Sequence, residues 1–340
     1  MQLFELTRAL VDIESITGHE GPVGDYLYAY LSGLAAAHGG HAERMDVEPG
    51  RFNVYAHWGE PRVTLSTHMD TVPPALAWRE DHEFVHGRGS CDAKGIIAAM
   101  ISAAERLLAA GTRGFGVLFV VGEERNSAGA YVAAQNPRGS KFLINGEPTD
   151  NRLVLGSKGA LRFEIVAQGR MAHSAYPELG HSAIHSLLDA LEQIRRIPLP
   201  KDDLLGATTL NVGTISGGRA PNVVADHAQA EILFRIVGDP ASLRTSVAQA
   251  VQGRAELREV ICIPAVRLAA IDGFETSVVS FATDIPAFDG SWGTPCLIGP
   301  GSIHVAHTDQ ERVAKRELSE AVVLYERLVK RLLTDGARVV

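Results

Sequence analysis

The feature that most constrains the fold is the spacing of three short apolar segments in the first half of the chain. Residues 63–67, 115–121 and 141–145 have the length and composition of buried strands, and an Ala- and Ile-rich helical pattern over 95–110 separates the first from the second. Strands that are apolar on both faces need cover on both faces, which helices between parallel strands supply. The pattern therefore predicts an α/β domain with a mostly parallel sheet sandwiched by helices.

A different pattern fills the middle of the chain. Its predicted strands are only half apolar, which is typical of an antiparallel sheet with one covered face. Two helical patterns interrupt these strands, as in small α+β domains of the ferredoxin-like type. The strands are expected at 161–167, 208–215 and 228–236, and the helices at 182–195 and 241–254. We therefore predict a first domain of two segments, 1–157 and 265–340, with an inserted domain at 158–264.

Charge and composition exclude several classes of function. The 340 residues carry a formal net charge of -8 and no run of basic residues, which argues against nucleic-acid binding. The most apolar segment, 96–110, contains Glu105 and Arg106, so it is too short and too charged to cross a membrane. The N-terminus lacks the apolar core of a signal peptide, and three scattered cysteines suit a reducing compartment, so a cytoplasmic protein is expected.

Residues that can bind metals, either histidine or acidic, follow each of the three predicted strands. His68 and Asp70 come after the first, Glu123 and Glu124 after the second, and Glu147 after the third. Open α/β sheets bind their ligands at the carboxyl ends of the strands. A pair of divalent cations needs imidazole and carboxylate ligands, one shared carboxylate, and a free base beside an activated water. These residue types at these places indicate metal-assisted hydrolysis.

Each of these residues also has a structural explanation when it is taken alone. His68 either binds a metal with its ring oriented by Asp70, or is a histidine of a surface loop. One of Glu123 and Glu124 binds a metal while the other takes a proton from water, or both lie at an exposed strand end. Glu147 is either a ligand or a turn residue between glycine and proline.

Two further candidates lie in glycine-rich stretches. Asp92 precedes the helical pattern, where it either shares its carboxylate between two metals or stabilises the helix N-terminus. His307 has a rival in His304, three residues earlier, and either histidine alone also suits an exposed position. The conjunction of all the candidates around one sheet favours the metal site.

Five stretches of the sequence, in this order, resemble the M20 family of dinuclear zinc peptidases and amidohydrolases. The resemblance covers essentially the whole chain. That family includes acetylornithine deacetylase, succinyl-diaminopimelate desuccinylase, aminoacylases and glutamate carboxypeptidases, and its catalytic domain has a zinc-exopeptidase-like fold. The matching stretches are 66–73, 87–95, 122–124, 146–149 and 299–307.

The resemblance implies a set of metal ligands for two Zn2+ ions, with Co2+ as a possible replacement. By the family pattern, the ligands would be His68 and Glu147 for one ion, Glu124 and His307 for the other, and Asp92 as the bridge between them. The resemblance further implies that Glu123 is the general base and that Asp70 supports His68. It also implies a cis peptide bond after Asp92.

The inserted domain resembles the lid and dimerisation domain of that family, which implies a homodimer. His173 would reach the scissile carbonyl oxygen, in some members from the partner subunit. Arg235 and Asn222 would hold the carboxylate of the substrate, although they also suit a solvated strand end and a turn. The chain departs from the family at His304 and Ser157, where relatives often carry glutamate.

The resemblance also implies a reaction. The Gly-Glu-Pro-Thr and Gly-Pro-Gly-Ser-Ile stretches look most like acetylornithine deacetylase and related enzymes that deblock lysine or citrulline precursors. We therefore expect deacylation of an N-acyl amino acid in amino-acid biosynthesis by a metal-activated water, with a dipeptidase, aminopeptidase or carboxypeptidase as the alternative. A hypothesis from another class is a metal-free binding protein on the same fold, against which the intact ligands and Glu123 argue.

Overall fold

The computed structural model describes residues 2–334 and 338–339, which form two compact units. The first unit comprises Met1–Leu155, Arg267–Ser277 and Thr283–Val340, and the second comprises Gly156–Val266 and Val278–Ala282. The sequence predicts an insertion at 158–264, so the structure extends that range by two residues at each end. It also returns 278–282 to the second unit, where the backbone N–H of Lys158 donates to the carbonyl of Val279.

The helices predicted at 95–110, 182–195 and 241–254 are present, with bounds within three residues of the prediction. The helices are α1 (Leu3–Val11), α2 (Gly21–His38), α3 (Lys94–Ala109), α4 (Ala128–Gln135), α5 (Ala183–Arg195), α6 (Ala241–Val251) and α7 (Lys315–Thr334), with short 3-10 helices at Pro177–Leu179 and Ile285–Phe288. Within the described residues, none of the helices is both long enough and apolar enough to cross a membrane.

The strands are more numerous than the sequence predicts. Those of three or more residues are β1 (His41–Glu48), β2 (Arg51–Trp58), β3 (Val63–His68), β4 (Phe84–His86), β5 (Phe115–Val120), β6 (Phe142–Asn145), β7 (Leu153–Ser157), β8 (Gly159–Gln168), β9 (Thr209–Gly217), β10 (His227–Ile236), β11 (Glu256–Ile263), β12 (Thr276–Val279), β13 (Thr294–Leu297) and β14 (Arg312–Ala314). Two-residue strands lie at Arg79–Glu80, Lys201–Asp202, Gly206–Ala207, Val266–Arg267, Ala269–Ala270 and Arg338–Val339.

The first unit is built on a six-stranded sheet with the strand order β1-β2-β5-β3-β6-β13. β3 is parallel to β5 and β6, and β13 is parallel to β6, whereas β1 and β2 form an antiparallel edge. His68 lies opposite Val120, and Asn145 lies opposite both Ser66 and Leu297. The carboxyl ends of four parallel strands therefore meet at one edge, and the predicted α/β fold is confirmed.

Both faces of this sheet are covered, which explains why its central strands are apolar throughout. All residues of β3, β5 and β6 are buried. On one face, α3 and α7 pack on the sheet through side chains such as Ile96 and Leu328. On the other face, Phe288 and Trp292 pack with Leu118 of β5.

The second unit is a ferredoxin-like α+β domain, as predicted. Its antiparallel sheet has the order β9-β10-β8-β11, and α5 and α6 cover one face of it through Leu187 and Val247. β9 is an edge strand that is exposed along nearly its whole length. Its apolar residues Val212 and Ile215 are 36% and 55% exposed.

Candidate metal centre

Four neighbouring strands deliver the candidate ligands to one edge of the sheet in the first unit. His68 is the last residue of β3, and Glu123 and Glu124 follow the end of β5. Glu147 follows β6, and His307 lies in the segment after β13. Since these strands are parallel neighbours, the side chains that come from distant parts of the sequence meet at their common end.

Asp92 lies between two histidines and faces each of them with a different carboxylate oxygen. Its Oδ1 is 2.9 Å from Nε2 of His68, and its Oδ2 is 3.3 Å from Nε2 of His307. Nε2 of His307 is also 2.9 Å from Oε1 of Glu124. One carboxylate with an imidazole beside each oxygen is an arrangement suited to a ligand shared by two cations.

The donor set around Asp92 fits divalent cations. Ligand atoms of His68, Asp92 and Glu124 lie within 4.8 Å of one another. Glu147 is buried, and its Oε1 has no hydrogen-bond partner in the part of the chain that the structure describes. Burial raises the pKa of the Glu147 carboxyl well above its usual range and also raises that of Glu124. Crowded, buried carboxylates are costly without a cation, and mixed imidazole and carboxylate donors suit Zn2+ and similar ions.

The two adjacent glutamates differ in their contacts. Glu124 reaches His307, whereas the carboxylate of Glu123 accepts no hydrogen bond from any described residue. Burial, together with the charge of Glu147, raises the pKa of Glu123 well above its usual range. A carboxylate that has no hydrogen-bond partner within the described chain and a raised pKa is suited to act as a general base.

The Asp70 carboxylate holds the segment that carries both glutamates. Its Oδ1 accepts the backbone N–H groups of Gly122 and Glu123, and its Oδ2 accepts that of Glu124. Nδ1 of His68 is 3.0 Å from the backbone carbonyl of Asp70 and 3.5 Å from its Oδ1. Asp70 therefore contacts His68, and it also fixes the glutamate loop, a contact that the sequence does not predict.

His307, and not His304, reaches the donor group. The side chain of His304 is exposed and makes no hydrogen bond within the described chain, whereas His307 contacts Asp92 and Glu124. His307 has a φ of +61°, in the left-handed region that histidine occupies more readily than most other residues. Its side chain is 49% exposed, so this side of the donor group is open to solvent.

The loop that carries Asp92 is held by a residue that the sequence analysis misses. Glu311 is buried, and its Oε1 accepts the backbone N–H groups of Gly89, Cys91 and Asp92. Its Oε2 accepts a hydrogen bond of 2.5 Å from Nη1 of Arg88. The peptide bond after Asp92 is cis, as the family resemblance implies. Glu311 cannot be recognised from a local motif, because the residues that it contacts are separated from it in sequence by about two-thirds of the chain length.

Asp284 is a second acidic residue that the sequence analysis misses. It precedes the 3-10 helix Ile285–Phe288, is 1% exposed, and has no hydrogen-bond partner within the described chain for either carboxylate oxygen. Burial raises its pKa to about 7, against a smaller lowering effect of the nearby Ser127 hydroxyl. An acid just before a helical turn reads from sequence as an ordinary cap, so nothing in the pattern marks it.

His173 and Asn222 lie side by side in the second unit. His173 forms an isolated bridge with Val223, and the backbone N–H of Ser174 donates to the carbonyl of Asn222. Both side chains are exposed. Nδ1 of His173 accepts the N–H of Ala175 at 3.2 Å, so in the neutral ring Nε2 carries the proton and is free to donate it to a ligand.

Arg235 lies at the other end of the same sheet. It pairs with Ala160 near the start of β8, whereas His173 and Asn222 belong to the loops beyond the end of β8 and before β10. Arg235 is half-buried and, among the described residues, has no ion-pair partner. Within one chain, Arg235 is therefore distant from His173 and Asn222, the other two residues of this unit that are predicted to contact the substrate.

Comparison with known proteins finds relatives along the whole chain. The model of peptidase family M20/M25/M40 matches residues 64–331. A peptidase M20 domain-containing protein of Schizosaccharomyces pombe is 39% identical over 339 residues, covering 96% of this chain and 84% of the relative. A probable carboxypeptidase of Aspergillus terreus is 38% identical, covering 95% and 84%. The crystal structure of aminopeptidase PepT from Bacillus cereus has the same fold, with a TM-score of 0.79 at 19% identity and coverage of 98% of each chain.

Proposed function

The chain belongs to peptidase family M20/M25/M40, and from that premise we propose that it is a metal-dependent carboxypeptidase of short peptides. The names of its relatives favour a peptidase over the deacetylase that the sequence analysis expects first, because one of them is a probable carboxypeptidase. Deacylation of N-acyl amino acids remains the second candidate, since such a substrate also ends in a free carboxylate.

One observation carries the proposal of hydrolysis. Asp92 presents one oxygen to His68 and the other to His307. Glu123, whose carboxylate has no hydrogen-bond partner within the described chain, follows the carboxyl end of β5. In the proposed site, His68, Asp92 and Glu147 would hold one cation, and Asp92, Glu124 and His307 would hold the other. Cations bound there would polarise the scissile carbonyl as Lewis acids and would acidify a water molecule.

The chain's own residues supply the remaining steps. Glu123 takes a proton from the attacking water and returns it to the leaving amine, so the carboxylate is unchanged after one turnover. The free Nε2–H of His173 is suited to stabilise the negative charge on the carbonyl oxygen. Asp70 keeps Glu123 and Glu124 in register through the three backbone N–H groups that it accepts.

Arg235 supports recognition of a carboxylate. A half-buried guanidinium without an acidic partner is unfavourable unless a ligand supplies the negative charge. A carboxylate fits this role, because it accepts two parallel hydrogen bonds from the planar guanidinium. Asn222 is the second proposed ligand of the same carboxylate.

The separation of these residues supports a site shared between two subunits. His227 and Arg235 are eight residues apart on β10, which corresponds to about 27 Å at about 3.4 Å per residue. A dipeptide cannot span that distance, so one substrate cannot contact Arg235 and the His173 and Asn222 pair of the same chain. We propose a homodimer in which the partner supplies His173 and Asn222, and in which the exposed edge strand β9 contributes to the interface.

A substrate panel in the presence of Zn2+ or Co2+ tests the proposed function. It contains dipeptides, N-blocked peptides with a free C-terminus, the same peptides as C-terminal amides, and N-acetyl and N-succinyl amino acids. We expect hydrolysis of N-blocked peptides with a free C-terminus and little hydrolysis of their amides.

Three other results are informative. Equal cleavage of amides and free acids would refute carboxylate recognition by Arg235. Turnover of N-acyl amino acids without any peptide cleavage would favour the deacetylase. Absence of both turnover and bound metal after reconstitution would favour a binding protein.

A further inference from the structure

We infer that Glu311 is a positioning residue that sets the place of the Asp92 carboxylate. This rests on the proposed role of Asp92 as the ligand shared by two cations. The inference starts from the loop that carries Asp92, which is irregular and glycine-rich and precedes α3. A turn bond from the N–H of Ser90 to the carbonyl of Gly87 is part of this loop, but its other amides lie outside any helix or strand and need another acceptor.

Glu311 is that acceptor. Its Oε1 lies 2.8 Å from the backbone nitrogen of Gly89, 3.2 Å from that of Cys91 and 3.1 Å from that of Asp92. The backbone carbonyl of Glu311 accepts a fourth hydrogen bond, from the N–H of Gly87. The loop therefore wraps around one buried side chain, which leaves it little freedom to shift.

Arg88 completes the arrangement from inside the same loop. Its Nη1 donates to Oε2 of Glu311, while its Nε donates to the carbonyl of Pro74 at 3.1 Å. Both side chains are nearly inaccessible to solvent. Breaking a buried pair of this kind strongly destabilises the folded protein. The pair therefore also fixes the orientation of the Glu311 side chain.

Asp70 holds the loop of Glu123 and Glu124 in the same way as Glu311 holds the loop of Asp92. Each of these two buried carboxylates accepts three consecutive or nearly consecutive backbone N–H groups of a loop that carries metal-type ligands. Glu311 also lies four residues after His307 in the sequence. One short segment thus carries a candidate ligand and the acceptor that places Asp92, so the separation of His307 and Asp92 depends on Glu311.

The test compares cobalt binding by Glu311→Gln with that of the wild-type protein. A glutamine side chain has one oxygen, which accepts hydrogen bonds, and one NH2 group, which only donates them. In Glu311→Gln the NH2 group therefore faces another donor, either Arg88 or the backbone N–H groups of the loop. We expect Co2+ affinity and kcat to fall by about 10–100-fold, as for other groups that orient ligands, with KM less affected. The visible spectrum of the bound Co2+ should also change.

Glu20→Gln is the matched control. Glu20 forms a second buried pair with an arginine, Arg51, and within the described residues it accepts no hydrogen bond from a loop that carries candidate ligands. Both variants should unfold at lower temperature than the wild type, but only Glu311→Gln should bind Co2+ more weakly. If Glu311→Gln does not fold, Glu311→Asp, which keeps the charge and withdraws the carboxylate by one methylene, is judged by the same criteria.

The possible results separate the two proposals. Wild-type affinity and spectrum in Glu311→Gln would overturn the positioning role, as would equal losses of Co2+ affinity in both glutamine variants. If the wild-type protein itself binds no Co2+, the proposed function fails.

Discussion

Replacement of Asp284 by asparagine should stabilise the metal-free protein at alkaline pH. The carboxylate of Asp284 is buried, and neither oxygen has a hydrogen-bond partner among the described residues. Burial raises its pKa from the ordinary 3.8 to about 7. The charged form is therefore much less favourable in the folded chain than in the unfolded chain.

The sign and size of the effect follow from that pKa. Because the folded chain holds this proton more tightly, its stability falls as the pH rises from about 4 to about 7, and the full penalty applies above that range. A rise from 3.8 to about 7 corresponds to at most about 4 kcal/mol, at about 1.4 kcal/mol for each factor of ten in proton affinity. Asp284→Asn removes the titrating group and hence the penalty.

Guanidinium unfolding in the presence of a chelator, followed by tryptophan fluorescence, measures the effect. Trp58 and Trp292 are both buried in the first unit and report on its unfolding. Asp284→Asn should match the wild type near pH 4 and exceed its stability at pH 8. The control Asp289→Asn, at an exposed position five residues away, should show no such difference. If Asp284→Asn is no more stable than the wild type at pH 8, the reasoning is wrong.

Two further predictions concern the proposed base and the proposed dimer. Glu123→Gln should lower kcat by about 10²–10⁴-fold with unchanged metal content, because the amide cannot take a proton; a rate within threefold of the wild type would contradict the assignment. Ile215→Lys on β9 should yield a monomer in sedimentation experiments, since it places a charge on an apolar edge strand. Val323→Lys on α7, whose side chain has similar exposure (52% against 55%), should leave the dimer intact.

The parts of the fold that the sequence predicts are those with a strong local pattern. β3, β5 and β6 are recognisable because both of their faces are buried, and the candidate ligands lie at or within four residues of their carboxyl ends: His68, Glu124 and Glu147. The β1–β2 hairpin is not predicted, since β1 has a single buried residue, Met45, and lacks a clear apolar face. A half-polar edge strand has too weak a pattern to be separated from a loop.

The parts that the sequence does not predict depend on contacts between distant residues. Glu311 acts on amides that lie more than 200 positions earlier in the chain. Asp284 is distinctive only because it is buried without a partner, and burial of a single acid cannot be read from its neighbours in the sequence. The choice of His307 over His304 likewise needs the position of Asp92.

In the proposed homodimer, the placement of Arg235 and His173 at opposite ends of one sheet means that each site takes these two residues from different subunits. Arg235→Ala and His173→Ala subunits would each be inactive as pure dimers, yet a mixed dimer would contain one site with both residues intact. Random pairing of equal amounts makes half of the dimers mixed, so co-expression would restore about a quarter of the wild-type activity by the symmetry of a two-fold dimer. Two inactive alleles of this gene would then complement each other.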